Sequence, residues 1–211
     1  EKKVVIVGGG FGGLESAKAF KNKGEFEVTL IDKTNHHLFQ PLLYQVATAG
    51  LSPNNIARPI RSILKDQKNL NVILDETISI NKENNTIDLK TYGSLAFDYL
   101  ILAVGAKHSY FGKDEWEKFA PGLKTLEDSL KIREKILLSF EKAELITNIE
   151  ERKKYLTFVI IGGGPTGVEM AGAIAEISKK TILDDFRNIN PQEIKIYLIE
   201  GASKLLGFYP E

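Results

Sequence analysis

The chain has 211 residues, 43% hydrophobic and 27% charged, enough apolar material for one large globular domain or two small ones. Its 28 basic and 28 acidic side chains cancel, which excludes the clustered positive excess of a nucleic-acid binder. It has no cysteine, which excludes a thiol–disulfide relay, a persulfide intermediate, an iron–sulfur site and a disulfide scaffold within these residues.

Val4-Val5-Ile6-Val7 is a β-branched apolar run that predicts a buried parallel strand. It leads into Gly8-Gly9-Gly10-Phe11-Gly12-Gly13, and from Leu14 to Phe20 the composition turns to helix formers. Strand, glycine turn and helix, with Gly8, Gly10 and Gly13 at this spacing, form a dinucleotide-binding signature. The turn needs Gly8, backbone approach to a pyrophosphate needs Gly10, and close packing of helix on strand needs Gly13. Phosphates would then sit at the positive end of the helix dipole. A second strand, Val28 to Ile31, ends on Asp32, nineteen residues beyond Gly13, where a carboxylate can accept from ribose hydroxyls.

Thr34 to Leu51 is apolar and irregular, broken by Pro41 and ended by Gly50. It reads equally as a core-covering loop with a short helix or as a segment lying along the bound cofactor. Ser52 to Lys65 carries Ile56, Ile60, Ile63 and Leu64 and predicts a short amphipathic helix. Asn71–Leu74, Thr77–Ile80 and Thr86–Leu89 predict a small antiparallel sheet, and Phe97 to Val104 another buried strand ending at Gly105-Ala106. Small residues at the carboxyl end of a parallel strand admit a ligand to the backbone. The pattern breaks between Lys107 and Leu123, which divides the chain into domains 1–123 and 124–211. Thr125 to Ile149 predicts a long helix with Leu130, Ile132, Ile136, Leu137, Phe140 and Leu145 near a 3.6-residue period.

The opening motif then returns. Leu156 to Ile161 is a strand, and Gly162, Gly164 and Gly167 repeat the first spacing ahead of a helix from Val168 to about Ser178. Ile194 to Ile199 runs into Glu200, 33 residues past Gly167, longer than the usual ~20. Two such motifs imply two dinucleotides, most simply a flavin and a nicotinamide. Glu200 would repel a 2′-phosphate and no Arg lies among Gly201, Ala202 and Ser203, which favours NADH over NADPH. The expected fold is α/β, with two Rossmann-like folds on parallel sheets. His36, His37 and His108 have no partners at metal-ligand spacing, so no metal site is expected. No apolar run approaches the roughly 18 residues of a spanning helix, and the opening on Glu1, directly on a strand, reads as a trimmed piece without a signal peptide.

KVVIVGGGFGGLESAK, NHHLFQPLLYQVATAGLSP, FDYLILAVGA and FVIIGGGPTGVEMAGAIAE together resemble the amino-terminal half of type II NADH dehydrogenases, the single-subunit, non-proton-pumping NADH:quinone oxidoreductases. The glycine signatures are shared across the two-dinucleotide flavoprotein superfamily, whereas PLLYQVATAGLSP is more specific. The resemblance implies FAD in the first fold and NADH, as substrate, in the second. Matched by position, it implies FAD contacts at Gly8, Gly10, Phe11, Gly12, Gly13, Asp32, Lys33, Gln40, Thr48, Ala103 and Gly105, with Val104 where the family usually has Thr. It implies NADH contacts at Gly162, Gly164, Pro165, Thr166, Gly167 and Glu200, and a catalytic Glu169 near the nicotinamide–flavin contact. Glu169 reads equally as a carboxylate in the first turn of its helix, stabilised by the dipole.

The activity implied is hydride transfer from NADH to flavin, then two electrons to a membrane quinone. Attachment would be peripheral, on the cytoplasmic side, through a later part of the chain, with a homodimer among the assemblies allowed. Members of the family are longer, and this chain stops eleven residues after Glu200, so a piece of the enzyme is expected. Two other readings fit the same sites: a soluble NADH-dependent flavoprotein reductase with a ferredoxin-type or small-molecule acceptor, and a nucleotide-binding module without turnover.

Overall fold

The computed structural model describes residues 1–207 and 209. In chain order the elements are β1 (Lys2–Val7), α1 (Phe11–Ala19), β2 (Phe26–Asp32), β3 (His36–Leu38), α2 (Leu43–Ala47), α3 (Pro53–Ile56), β4 (Ala57–Pro59) and α4 (Ile60–Ile63). There follow β5 (Leu70–Leu74), β6 (Thr77–Asn81), β7 (Thr86–Leu89), β8 (Gly93–Ala96) and β9 (Tyr99–Leu102). The remainder comprises α5 (Leu126–Leu145), α6 (Ile149–Arg152), β10 (Thr157–Ile161), α7 (Pro165–Lys179), α8 (Thr181–Asp185) and β11 (Lys195–Ile199). These group into two compact units, Glu1–Leu38 with Ala57–Lys107 and Phe39–Ile56 with His108–Glu211.

The first unit is built on a four-stranded parallel sheet in the order β5-β2-β1-β9. Successive residues of β1 face opposite sides, and both sides are covered, so the run is apolar throughout. Val4 and Ile6 pack with Val28, Leu30, Leu14 and Ala17 on one side. Val5 and Val7 pack with Ile31, Ile87 and Leu89 on the other, where β6, β7 and β8 form an antiparallel sheet.

Three expectations change here. Leu70–Leu74 joins the parallel sheet beside β2 instead of the antiparallel one, whose third strand is Gly93–Ala96. A short apolar run reads alike in either setting, and Gly-Ser-Leu-Ala lacks the β-branched signal of a strand. Ser52–Lys65 forms two single turns, α3 and α4, separated by β4, which pairs with β3. Pro59 lacks an N–H and its ring would strike the carbonyl four residues back, so a continuous helix cannot pass through it. The strand expected over Phe97–Val104 shortens to Tyr99–Leu102 at the sheet edge, leaving Tyr99, Leu102 and Val104 exposed.

In the second unit β10 and β11 pair in parallel. Ile136, Phe140 and Ala143 of α5 pack with Leu156, Met170, Ile174, Ile182, Ile189 and Ala47. α5 opens on a reciprocal cap between Thr125 and Asp128. Its buried stripe follows 132, 136, 140 and 143, while Leu130, Leu137 and Leu145 lie off it and are exposed. α7 begins at Pro165, earlier than the expected Val168, because proline at a first helical position forfeits no hydrogen bond. Among the described residues no helix is long and apolar enough to cross a membrane.

Candidate functional site: two glycine turns, each closed by an acid

The first turn links β1 to α1. Gly8 has φ of +104°, a left-handed conformation that favours glycine, and a Cβ there would also strike the Ala103 carbonyl. A Cβ at Gly13 would collide with the Gly8 carbonyl, so strand and helix approach as closely as the signature requires. Asp32 closes the turn: its Oδ2 accepts from the Gly9 N–H at 2.5 Å, and its Oδ1 accepts from the Thr34 N–H at 2.6 Å and the Thr34 hydroxyl at 2.7 Å. The Gly9 carbonyl is held by His37 Nδ1 at 3.1 Å.

The second turn repeats this arrangement. Gly162 has φ of +104°, and a Cβ at Gly167 would collide with the Gly162 carbonyl. Glu200 Oε2 accepts from the Gly163 N–H at 2.5 Å, and Oε1 accepts from the Ala202 N–H at 2.8 Å. The Ala202 and Gly163 amides hold the Glu200 carboxyl below the usual carboxylate range. The Gly163 carbonyl accepts from the Leu206 N–H at 2.8 Å.

Both turns fit a pyrophosphate. Among the described residues a Cβ at Gly10 or Gly164 would meet nothing within 4 Å, so they leave the approach to each turn open. α1 and α7 carry no acidic residue in their first turns, so no side chain of either helix competes with a phosphate for its positive end. Phe11 and Gly12, and Pro165 and Thr166, are exposed at the mouths of their turns. Each carboxylate retains lone pairs for a ribose hydroxyl after accepting its backbone bonds.

The remaining expected residues are more scattered. Lys33 is exposed next to Asp32. Ala103 donates its N–H to the Val7 carbonyl at 2.8 Å, and Gly105 lies three residues past β9 with φ of +70°. Gln40 donates its side-chain amide to the Lys124 carbonyl at 3.3 Å. Thr48 is buried, its hydroxyl donating to the Tyr44 carbonyl at 2.9 Å at the end of α2. Glu169 is exposed on α7 and, with Tyr44, Gln45, Thr48, Glu176 and Lys180, lines a cavity of about 540 Å³ in the second unit. Since α7 starts at Pro165, Glu169 falls beyond the first turn, and the expectation of a first-turn, dipole-stabilised carboxylate is corrected.

Sequence reasoning missed Gly9 and Gly163, whose N–H groups the acids grip, and also Thr34, His37 and Leu206. The sequence signal for the two glycines was their shared position inside each motif. His37 offered only its place in the segment that follows Asp32, and Leu206 no signal, because a backbone donor carries no residue signature.

The family model for pyridine nucleotide-disulphide oxidoreductases matches residues 2–211. The type II NADH:quinone oxidoreductase NdhA of Mycobacterium tuberculosis is 48% identical over 207 residues, covering 97% of this chain and 44% of that protein. A second mycobacterial type II NADH:quinone oxidoreductase, Ndh, is 44% identical over the same shares. The solved structure of NDH2 from Plasmodium falciparum in complex with NADH matches with a TM-score of 0.90 and 34% identity, covering 100% of this chain and 44% of that one. The chain thus spans less than half the length of these relatives.

Proposed function

This chain belongs to the pyridine nucleotide-disulphide oxidoreductase family, and on that premise we propose that the whole protein is an FAD-dependent NADH:quinone oxidoreductase. The observation that carries this reading is the duplicated turn: two open phosphate cradles, each closed by a carboxylate, in a chain that matches proteins named type II NADH:quinone oxidoreductases over 97% of its length. The absence of cysteine leaves no dithiol in these residues to serve as the redox centre.

In this reading the first unit holds FAD. The backbone from Gly8 through Gly13 and the start of α1 hold its pyrophosphate, and Asp32, with Lys33 beside it, accepts from its ribose. Ala103 and Gly105 border the same molecule. The second unit holds NADH at Gly162, Gly164, Pro165, Thr166 and Gly167. Glu200 accepts from the adenosine ribose and repels a 2′-phosphate. Glu169 stands by the nicotinamide. FAD, when bound, supplies the chemistry of accepting hydride from NADH and delivering two electrons to the quinone. The protein's part is to bind both nucleotides by backbone N–H groups, fix their riboses by carboxylates and so set their orientation. Peripheral attachment to the cytoplasmic face of a membrane and a homodimeric assembly complete the proposal.

The test uses the full-length protein. It is expected to purify with flavin absorbance and to oxidise NADH when a soluble quinone analogue is added, with little response to a ferredoxin. A colourless protein, or NADH oxidation indifferent to quinone, would overturn the reading.

A further inference from the structure

We propose that His37 is a positioning residue of the first cradle: by holding the Gly9 carbonyl it aims the Gly10 N–H at the dinucleotide pyrophosphate. This rests on the reading of the first turn as the FAD site.

The Gly9 carbonyl can only accept, so the bond at 3.1 Å requires a proton on His37 Nδ1. The Gly9–Gly10 peptide is trans and planar, so its C=O and N–H point in opposite directions. Pinning the carbonyl to His37 therefore turns the Gly10 N–H away from the imidazole. Two further contacts fix the imidazole. Its ring meets the Phe11 ring edge-on, with centroids 4.9 Å apart and planes at 85°. Its backbone sits in the β3–β4 pair opposite Arg58. His36 does not share the role, since its Nδ1 lies 3.4 Å from the neighbouring Asn35 amide oxygen.

The second turn supplies the independent observation. There the equivalent carbonyl, on Gly163, is also held from outside the turn, by the Leu206 N–H at 2.8 Å. The same constraint recurs with an unrelated donor, which marks it as a requirement of the turn.

Two variants of the full-length protein separate hydrogen bond from ring. His37→Phe keeps a ring against Phe11 and deletes the donor, whereas His37→Asn deletes the ring and keeps an N–H donor at the δ position. Each deflavinated protein is titrated with FAD, following flavin fluorescence, and NADH KM is measured at saturating FAD. His37→Phe is expected to weaken FAD binding on the order of tenfold and His37→Asn to restore it to within about twofold of wild type. NADH KM is expected to stay unchanged, because the second turn uses Leu206. Circular dichroism of each apoprotein checks that it folds. Wild-type affinity in His37→Phe, or equal loss in both variants, would overturn the inference while leaving the FAD reading intact. A wild-type protein that takes up no FAD would overturn both.

Discussion

The two glycine turns share backbone geometry and differ in what surrounds it. Both have φ of +104° at the first glycine and an acid oxygen 2.5 Å from the middle N–H. The first turn is crowded: the Ala103 carbonyl lies where a Gly8 Cβ would go, and Thr34 and His37 side chains take the acid and the carbonyl. Around the second, the described residues place nothing within 4 Å of a Gly162 Cβ, and backbone N–H groups of Ala202 and Leu206 are the outer partners. The glycines and the acid define the device, and its outer partners are interchangeable. That difference makes the turns separable by experiment.

The largest effects fall where helix meets strand. Gly13→Val drives a side chain into the Gly8 carbonyl, and Gly167→Val does the same at Gly162. Each should destabilise its own turn by about 3 kcal/mol. Flavin content should collapse in the first variant, while the second should keep its flavin and lose NADH affinity. Identical losses from both would dissolve the distinction between the turns.

A sharper comparison is Gly8→Ala against Gly162→Ala. Both place a side chain at positive φ, which costs about 1–3 kcal/mol. Among the described residues only Gly8→Ala adds a collision, with the Ala103 carbonyl, so it should lower the melting temperature more, as read by calorimetry. Equal shifts would show that the neighbouring strand yields freely.

Glu200→Gln removes a charge and keeps an acceptor for the Gly163 N–H. NADPH, which the proposed role of the carboxylate would disfavour, should gain on NADH by roughly tenfold in kcat/KM. Flavin content should not move.

The smallest effect concerns acid. The folded-state pKa of Glu200 lies below its ordinary value, so its contribution is present above the usual carboxylate range and lost as pH falls through the lowered value. NADH affinity should therefore be flat from about pH 6 to 8 and fall only below the usual carboxylate range. A midpoint near neutrality would assign the dependence to another group.

Much of this was legible in the sequence because glycine spacing, apolar runs and a terminal acid each have one dominant physical reading. β1, β2, β10 and β11 and the acids Asp32 and Glu200 stand where those patterns put them. Strand partnership was not legible, since Leu70–Leu74 carries no mark of whether its neighbour is β2 or β6. Nor was the amphipathic stripe of α5, where exposed leucines at 130, 137 and 145 imitate core positions. His37 was hidden because a single histidine bound to a carbonyl follows no spacing rule.

The central claim is that each acid-closed turn serves a different dinucleotide. The most direct measurement is flavin content together with NADH KM in Asp32→Ala and Glu200→Ala variants of the full-length protein. Asp32→Ala should purify depleted of flavin and regain wild-type NADH KM when FAD is supplied, whereas Glu200→Ala should stay yellow with NADH KM raised about tenfold. Unchanged flavin in the first and unchanged KM in the second would contradict the claim.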